Sequence, residues 1–349
     1  MKENRLEQNT MRIPHKIKRG DEISLVTPGG LPPERFLPQV QNAKDYLVEL
    51  GFIINDLTLS KEDIGEAKKS MRNSFTRNTT ATLPVSGGKF SLEVAHDLEV
   101  PFQYNGIFCG FSNLYPFVLK NYTKGLVSFY GQHIGFINTK APQRESAFNV
   151  KNYWTTLTKD NAFVSKYGLS SFEQRNIAQV KGDELIIPNP YLHLAENISP
   201  YKNDAFYYNP SGDTHIEGES FIIQLELVNE LEESMKSINY ENKILLIDSF
   251  NSSLEEKMLS INKIFNIITK DSKVAGILFS SFTDTRYIHN FKRDDIENFL
   301  HKVAELSKCP VAYGFPFGHS RYKTPIPVGV HLEADLTTGT LTFRKYLAD

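Results

Sequence analysis

The sequence predicts an α/β protein of two domains: an N-terminal α/β domain with a parallel sheet and a C-terminal α/β domain, with the site at their interface. At about 150 residues per domain, 349 residues correspond to about two domains. Hydrophobic residues make up 40% and charged residues 23% of the chain, a balance that excludes a disordered, collagen-like or coiled-coil protein. Strand and helix patterns alternate along the chain, which indicates parallel sheets.

The first βαβ pattern lies near the N-terminus. Ile23–Val26 is short and apolar, as expected of a buried strand, and residues 27–30 (TPGG) end it. Apolar residues then recur at three- and four-residue steps from Pro38 to Leu50, which predicts a helix that ends at Gly51. Phe52–Ile54 follows as the second strand, so the two strands are expected to be parallel.

The second half of the chain shows the same alternation. Ile244–Asp248 predicts a buried strand, and Ser252-x-x-Glu255 predicts a capping box that begins the next helix. Val311–Phe315 predicts a later strand that runs into Gly318-His319. Because open α/β sheets place their sites at the carboxyl ends of strands, the polar residues that follow these strands are candidates for function.

Three segments divide the chain. We expect an N-terminal domain over residues 12–145, a linker and loop-rich segment over 146–209, and a C-terminal domain over 210–349. The regular pattern fades in the middle segment, where Pro, Tyr and Asn are frequent, and Trp154 is expected to lie there in a loop. Such a segment is typical either of a functional lid or of a flexible connector.

The overall charge and the cysteines exclude several classes of protein. The formal net charge is −2 and no basic block occurs, so neither nucleic acid nor an anionic membrane surface is expected as a partner. No apolar run approaches the ~18 residues needed to span a bilayer, and the first residues lack a signal-peptide pattern. Cys109 and Cys309 have no metal-ligand spacing and form no disulfide framework. We therefore expect a cytoplasmic protein.

Motifs for bound cofactors are lacking as well. The sequence contains no P-loop, no G-x-G-x-x-G, no H-E-x-x-H and no paired C-x-x-C. We expect neither a metal nor another cofactor.

Ser112 is the first candidate for chemistry. It follows the short apolar strand that ends at Cys109 and precedes a helical pattern, with Gly110 between them. A serine at such a turn presents its hydroxyl outward, and backbone N–H groups at the helix start face a developing oxyanion. The alternative is a helix N-cap serine.

His319 and Asp248 are the other two candidates. His319 lies in a Gly-flanked loop after a strand and is either a general base or an ordinary loop histidine. Asp248 ends a buried strand and either orients that imidazole or caps the following turn. The pair Gly87-Gly88 either places a backbone N–H at an oxyanion or forms a plain turn.

Taken together, these segments resemble the serine peptidase family of LD-carboxypeptidases and microcin C self-immunity proteins. The phrase Phe317-Gly318-His319, followed by residues 326–329 (IPVG), is the most specific match, because the His, Pro and Gly keep their spacing. The other matching segments are residues 18–28, Ser86-Gly87-Gly88, Gly110-Phe111-Ser112-Asn113-Leu114, Ile244–Asp248 and residues 274–277.

The resemblance implies a serine hydrolase that cleaves an amide next to a free carboxylate, in a murein peptide or a peptidyl-nucleotide. Carried onto this sequence, the triad falls on Ser112, Asp248 and His319, and the oxyanion hole on the backbone N–H groups of Gly88 and Asn113. The resemblance also implies a homodimer. The middle segment favours the microcin-immunity branch, in which an aromatic side chain such as Trp154 stacks on a nucleobase.

The sequence departs from the family pattern at several positions. Asp248 stands where the family has Glu, a side chain shorter by about 1.5 Å, and misplacing a triad member by about 1 Å is expected to cost on the order of 100-fold in rate. Asn113 replaces an Asp beside the nucleophile. Gly218-Glu219-Ser220 replaces a Gly-Gly-Asn segment, and residues 77–82 lack the expected apolar strand.

These departures motivate a second hypothesis, a catalytically weakened or inactive binding protein on the same scaffold. A third hypothesis is an unrelated two-domain protein that binds a sugar or a nucleotide. The three hypotheses differ in whether the Ser112 and His319 side chains lie close together and whether Ser112 acts as a nucleophile.

Overall fold

The computed structural model of the protein describes residues 11–34, 37–77, 79–137, 144–164, 169–193, 206–208, 213–250, 252–268, 272–282 and 291–349. In chain order, the strands are β1 (Glu22–Val26), β2 (Ile53–Leu57), β3 (Ala81–Pro84), β4 (Ile107–Phe108), β5 (Ser128–Tyr130), β6 (Gln179–Lys181), β7 (Glu184–Ile187), β8 (Tyr207–Tyr208), β9 (His215–Gln224), β10 (Lys243–Asp248), β11 (Gly276–Ser280), β12 (Val311–Phe315), β13 (Ile326–Val328), β14 (His331–Asp335) and β15 (Thr340–Arg344). The helices are α1 (Leu37–Glu49), α2 (Ile64–Thr76), α3 (Ser91–Asp97), α4 (Tyr115–Thr123), α5 (Arg144–Thr158), α6 (Ser171–Asn176), α7 (Glu232–Lys236), α8 (Leu254–Ile267) and α9 (Arg293–Ser307).

The N-terminal half contains a parallel sheet of four strands in the order β2-β1-β3-β4. β1 pairs with both β2 and β3, and helices follow β1, β2 and β3 in sequence, so this part is built from βαβ units as predicted. All four residues of β3 are buried. The expectation that residues 77–82 leave no strand here is therefore wrong, because Ala81 and Thr82 begin a strand that pairs on both sides.

The C-terminal half contains a mixed sheet of nine strands in the order β6-β7-β15-β14-β9-β10-β11-β12-β8. Its centre, β9 to β12, is parallel, and every residue of β10, β11 and β12 is buried, which explains their continuous apolar sequences. The two-domain α/β fold predicted from the sequence is confirmed.

The middle segment is more regular than the sequence suggested. Residues 144–158 form the 15-residue helix α5, and β6 and β7 join the C-terminal sheet through β15. The three- and four-residue spacing of Val150, Trp154 and Leu157 is the signal of this helix, and all three are buried. The domain boundaries stay a prediction, and residues 165–168, 194–205 and 209 of the predicted linker lie outside the described part of the chain.

A third, two-stranded sheet connects the two halves. β5 follows α4 of the N-terminal part, and it pairs antiparallel with β13, which precedes the last two strands of the chain. Tyr130 is therefore opposite Ile326. This pairing brings the end of β5 close to the loop after β12.

The capping box of α8 lies one residue later than the sequence predicted. Ser253 is the N-cap, and its side chain pairs with the backbone of Glu256 while Glu256 pairs with the backbone of Ser253. Ser252 is engaged elsewhere, since its hydroxyl bonds with Glu226 and Lys257. Within the described residues, no helix has the length and apolarity needed to cross a membrane.

Candidate active site

A buried carboxylate and an imidazole form the centre of the site. Asp248 ends β10 and has no exposed surface, and His319 lies in the loop after β12. The His319 Nδ1 atom is 2.7 Å from Asp248 Oδ2, and the His319 backbone N–H donates to Oδ1 at 2.9 Å. Asp248 thus contacts both the ring and the backbone of His319, which excludes the alternative that it merely caps the next turn.

Two further groups donate to the same carboxylate. The Ser280 hydroxyl donates to Asp248 Oδ1 at 2.9 Å, and the Tyr130 hydroxyl donates to Oδ2 at 2.6 Å. Burial by itself would raise the pKa of the Asp248 carboxyl, but the charge and hydrogen bonds of His319 and the bond from Tyr130 lower it to about 2. The carboxylate therefore stays ionised next to the imidazole.

Gly318 allows the shorter acid to reach the histidine. Its φ is +61°, a conformation that favours glycine, and a Cβ atom placed on it would lie 2.2 Å from the Asp248 Cγ. The backbone of the His319 loop therefore approaches the carboxyl group directly. Asp248 thus contacts His319 although its side chain is one methylene shorter than Glu, and the consequence of the shorter acid for the rate stays a prediction.

Ser112 lies at the turn between β4 and α4. Its φ is +57°, in the left-handed region that costs a non-glycine residue about 1–2 kcal/mol, and it begins a 3-10 turn, Ser112–Leu114, that leads into α4. The N-cap of α4 is Leu114, without a side-chain capping bond. The alternative that Ser112 is the N-cap of the helix is therefore wrong, and the strained backbone marks a position of interest.

Ser112 and His319 line one cavity of about 450 Å³. The predicted oxyanion residues Gly88 and Asn113 line it too, together with Gly87. A Cβ atom on Gly87 would lie 3.4 Å from the Asn113 Cβ, so the Gly-Gly loop and the Ser112 turn are neighbours. The Ser112 N–H donates to the Tyr130 hydroxyl at 3.2 Å and is therefore engaged away from a substrate.

Two aromatic rings pack against the His319 imidazole. The Phe250 ring stacks on His319 at 4.6 Å between centroids, and the Phe111 ring lies 4.9 Å from it. Sequence reasoning missed both rings and also Tyr130. Tyr130 ends a strand and Phe250 follows one, so their positions resemble those of the predicted site residues, but an aromatic at a strand end is common in a core.

Trp154 lies away from this cavity. It is fully buried in α5, its Nε1 donates to the Tyr46 hydroxyl at 2.9 Å, and its ring stacks on Phe52 at 5.4 Å. The prediction that Trp154 lies in a loop is wrong, because the helix packs its apolar stripe against the N-terminal domain. A ring with no exposed surface has no face to offer a nucleobase.

A three-residue group of metal-ligand type lies outside the cavity. Among the described residues, Glu217, His331 and Glu333 place ligand atoms within 4.8 Å of one another. The group is largely exposed, and Glu333 also accepts a hydrogen bond from Arg344 at 2.6 Å. These contacts are those of a surface charge network, and the group does not line the cavity.

Comparison with known families gives a match over the part of the chain that contains Asp248 and His319. Residues 224–334 match the family model of the LD-carboxypeptidase C-terminal domain. This region spans about a third of the chain. It contains both Asp248 and His319, and the resemblance predicted from the sequence motifs is confirmed. A search of curated protein sequences gave no significant match.

Solved structures extend the similarity of fold beyond residues 224–334. The chain is similar to MccF in complex with glutamyl sulfamoyl guanosine, with 18% identity, a TM-score of 0.70 and coverage of 97% of this chain and all of the other. An MccF-like protein from Bacillus anthracis matches with 18% identity and a TM-score of 0.71 over 95% of this chain and 98% of that one. A muramoyltetrapeptide carboxypeptidase from Oxalobacter formigenes matches with 17% identity and a TM-score of 0.64 over 94% of this chain and all of its own.

Proposed function

We propose that the protein is a serine hydrolase that cleaves an amide bond next to a free carboxylate. The observation that carries the proposal is the pairing of His319 Nδ1 with the buried Asp248 carboxylate at 2.7 Å, in a cavity that Ser112 also lines. The matched family, a peptidase family, supports a hydrolase.

The proposed reaction follows the logic of a Ser-His-Asp triad. Ser112 Oγ attacks the amide carbonyl and its proton passes to His319 Nε2, since Nδ1 is held by Asp248. The Asp248 carboxylate stabilises the imidazolium that forms. The backbone N–H groups of Gly88 and Asn113 hold the oxyanion, and His319 returns the proton to the leaving amine. Water then hydrolyses the acyl-enzyme by the same route.

The cavity lining supports a substrate that is part apolar and part anionic. Among the described residues that line the cavity, Lys323 is a lysine and none is an Asp or a Glu. Pro32, Pro33 and Val40 form an apolar wall. A free carboxylate beside the scissile bond suits the ammonium, which lies 5.8 Å from the centre of the Phe111 ring. Both a murein peptide and a peptidyl-nucleotide offer such a group.

Active-site labelling and turnover test the proposal together. A fluorophosphonate probe is expected to modify Ser112, identified by mass spectrometry of the labelled peptide. Wild-type protein is expected to release product from a murein tetrapeptide or from an aminoacyl sulfamoyl nucleotide. Ser112→Ala should lose labelling and lower kcat by on the order of 10⁴-fold or more.

Ser91→Ala is the matched control, because Ser91 is a buried serine that does not line the cavity. It should label and turn over like the wild type. Full activity in Ser112→Ala would show that the nucleophile is elsewhere. Tight binding of both ligands without labelling or turnover would instead favour the inactive binding protein on the same scaffold.

A further inference from the structure

One peptide group at the nucleophile turn has both of its polar atoms held by side chains. The N–H of the Phe111–Ser112 peptide donates to the Tyr130 hydroxyl at 3.2 Å. The carbonyl of the same peptide is 3.1 Å from His133 Nε2, and it also accepts the Leu114 N–H at 3.1 Å. Rotation of this peptide would change φ of Ser112 directly, so the two side chains oppose that rotation.

Both side chains come from one short segment that also reaches the acid. Tyr130 ends β5, and His133 follows three residues later. The Tyr130 hydroxyl, which accepts from Ser112, is 2.6 Å from Asp248 Oδ2 and is also within hydrogen-bond distance of Gln224 Oε1. Burial and the nearby Asp248 charge raise the pKa of this hydroxyl well above its ordinary value, so it remains a donor. The segment therefore links the backbone of the nucleophile to the carboxylate that orients His319.

The imidazole of His133 is a costly group for the fold. Its ring is buried against Phe111 at 4.8 Å and Phe136 at 5.7 Å, and its Nδ1 atom has no hydrogen-bond partner among the described residues. A buried nitrogen without a partner lowers stability, and a hydrocarbon side chain would avoid that cost. The bond from Nε2–H to the Phe111 carbonyl is the polar contact that the ring makes there.

We propose that His133 and Tyr130 are positioning residues that clamp the Phe111–Ser112 peptide and thereby hold Ser112 in the left-handed conformation from which its hydroxyl faces the cavity. The inference rests on the proposed role of Ser112 as nucleophile. It assigns to these residues an effect on the reaction step, because both hold the backbone that carries the Ser112 hydroxyl. His133 also lines the cavity and Tyr130 does not, so the comparison of kcat with KM is clearest in Tyr130→Phe.

Four variants test the clamp. His133→Leu removes the donor, His133→Gln keeps an amide N–H at about the same reach, and Tyr130→Phe removes the hydroxyl. The double variant His133→Leu/Tyr130→Phe removes both. The measurements are the rate constant for fluorophosphonate labelling of Ser112, kcat and KM for the better substrate, and Tm.

The expected loss in His133→Leu and in Tyr130→Phe is about 10- to 100-fold in labelling rate and kcat, with KM changed less than about 3-fold. His133→Gln should recover most of the rate. The double variant should be little slower than the slower single variant, since both changes free the same peptide. The Tm of His133→Leu should stay within about 3 °C of wild type, because the Phe111 carbonyl keeps its bond from Leu114.

The outcomes separate this inference from the proposed function. A wild-type protein that is not labelled at Ser112 contradicts the proposed function itself. If the wild type is labelled at Ser112, and His133→Leu and Tyr130→Phe are labelled as fast as the wild type, the clamp is contradicted and the proposed function is not. The clamp is also contradicted if His133→Gln loses as much rate as His133→Leu, or if the variants change only KM. If His133→Leu does not fold, His133→Met, which also lacks an N–H donor, replaces it, because Tyr130→Phe alone also removes a bond to Asp248.

Discussion

The two halves of the site are held in place by different forces. On the acid–base side, the Asp248 carboxylate accepts four hydrogen bonds, two from His319 and one each from Ser280 and Tyr130. On the other side of the site, Ser112 occupies a strained backbone conformation, and the Tyr130 and His133 side chains contact the neighbouring peptide. One half is fixed by a buried charge and the other by backbone geometry.

This difference predicts how each half responds to change. Charge-assisted hydrogen bonds in a buried site are strong, and removing one partner leaves the others unsatisfied. A strained turn costs energy in the folded state, so relieving the strain stabilises the fold even where function is lost. Changes at Asp248 should therefore lower both stability and rate. Changes at Ser112 that relieve the strain should lower the rate but raise stability.

The largest expected effect is that of Asp248→Asn. The amide cannot accept from every group that now donates to the carboxylate, and the imidazolium loses its counter-charge. We expect kcat to fall on the order of 10⁴-fold in steady-state kinetics. Asp183→Asn, a change at an exposed acid, should leave kcat unchanged. A loss of less than about 10-fold in Asp248→Asn would show that the carboxylate does not act through His319.

Asp248→Glu is a second test of how the buried carboxylate half of the site responds to change. The family pattern alone would make this change a gain, since it restores the usual acid. The structure predicts a loss, because the added methylene has to fit between Tyr130, Ser280 and the Gly318 backbone. We expect destabilisation of about 1–3 kcal/mol and a lower kcat, checked by urea unfolding and kinetics. Higher activity in Asp248→Glu would show that the shorter acid limits catalysis.

The next effect is a pH dependence of stability that arises from His133. Burial lowers the pKa of this imidazole to about 4; the bond to Phe111 opposes the shift, and the charges of His319 and Lys323 add to it. Its ordinary value is 6.5, so between pH 6.5 and 4 the unfolded chain binds more protons than the folded one. The penalty for protonating the buried ring is absent above pH 6.5 and grows as the pH falls towards 4, so stability decreases over this range.

His133→Leu removes this titration. Between pH 6.5 and 4, the wild type should lose about 3 kcal/mol more unfolding free energy than the variant, measured by urea unfolding at a series of pH values. The difference between the two proteins cancels the groups that titrate in both. Parallel stability profiles would mean that His133 titrates normally in the folded protein.

The smallest expected effect concerns the strain at Ser112. Ser112→Gly and Ser112→Ala both remove the hydroxyl, so both should be inactive. Glycine adopts a φ of +57° without the Cβ penalty, and the Gly variant should be more stable than the Ala variant by about 1 kcal/mol. Thermal unfolding of the pair measures this. Equal stabilities would argue that the turn is not strained.

Local sequence patterns predicted much of the fold and the candidate residues. Apolar runs and their spacing predicted the parallel strands, and each of Ser112, Asp248 and His319 was found by its place after a strand. The pattern failed at Trp154, where proline- and tyrosine-rich surroundings obscured a helical spacing. It also placed the capping box at Ser252, because the competing bonds of Ser252 to Glu226 and Lys257 come from distant residues.

The partners of these residues depend on contacts between distant parts of the chain. Asp248 and His319 are separated by 71 positions, and Tyr130 and Asp248 by 118, so no local spacing relates them. The order of strands and the residue types at their ends follow from short-range periodicity and turn chemistry, which are encoded within a few residues. The φ of Ser112, the close approach permitted by Gly318 and the contacts of Tyr130 and His133 with the Phe111–Ser112 peptide exist only in the folded chain, because hydrogen bonds and steric contacts form between whichever groups the packed chain brings together.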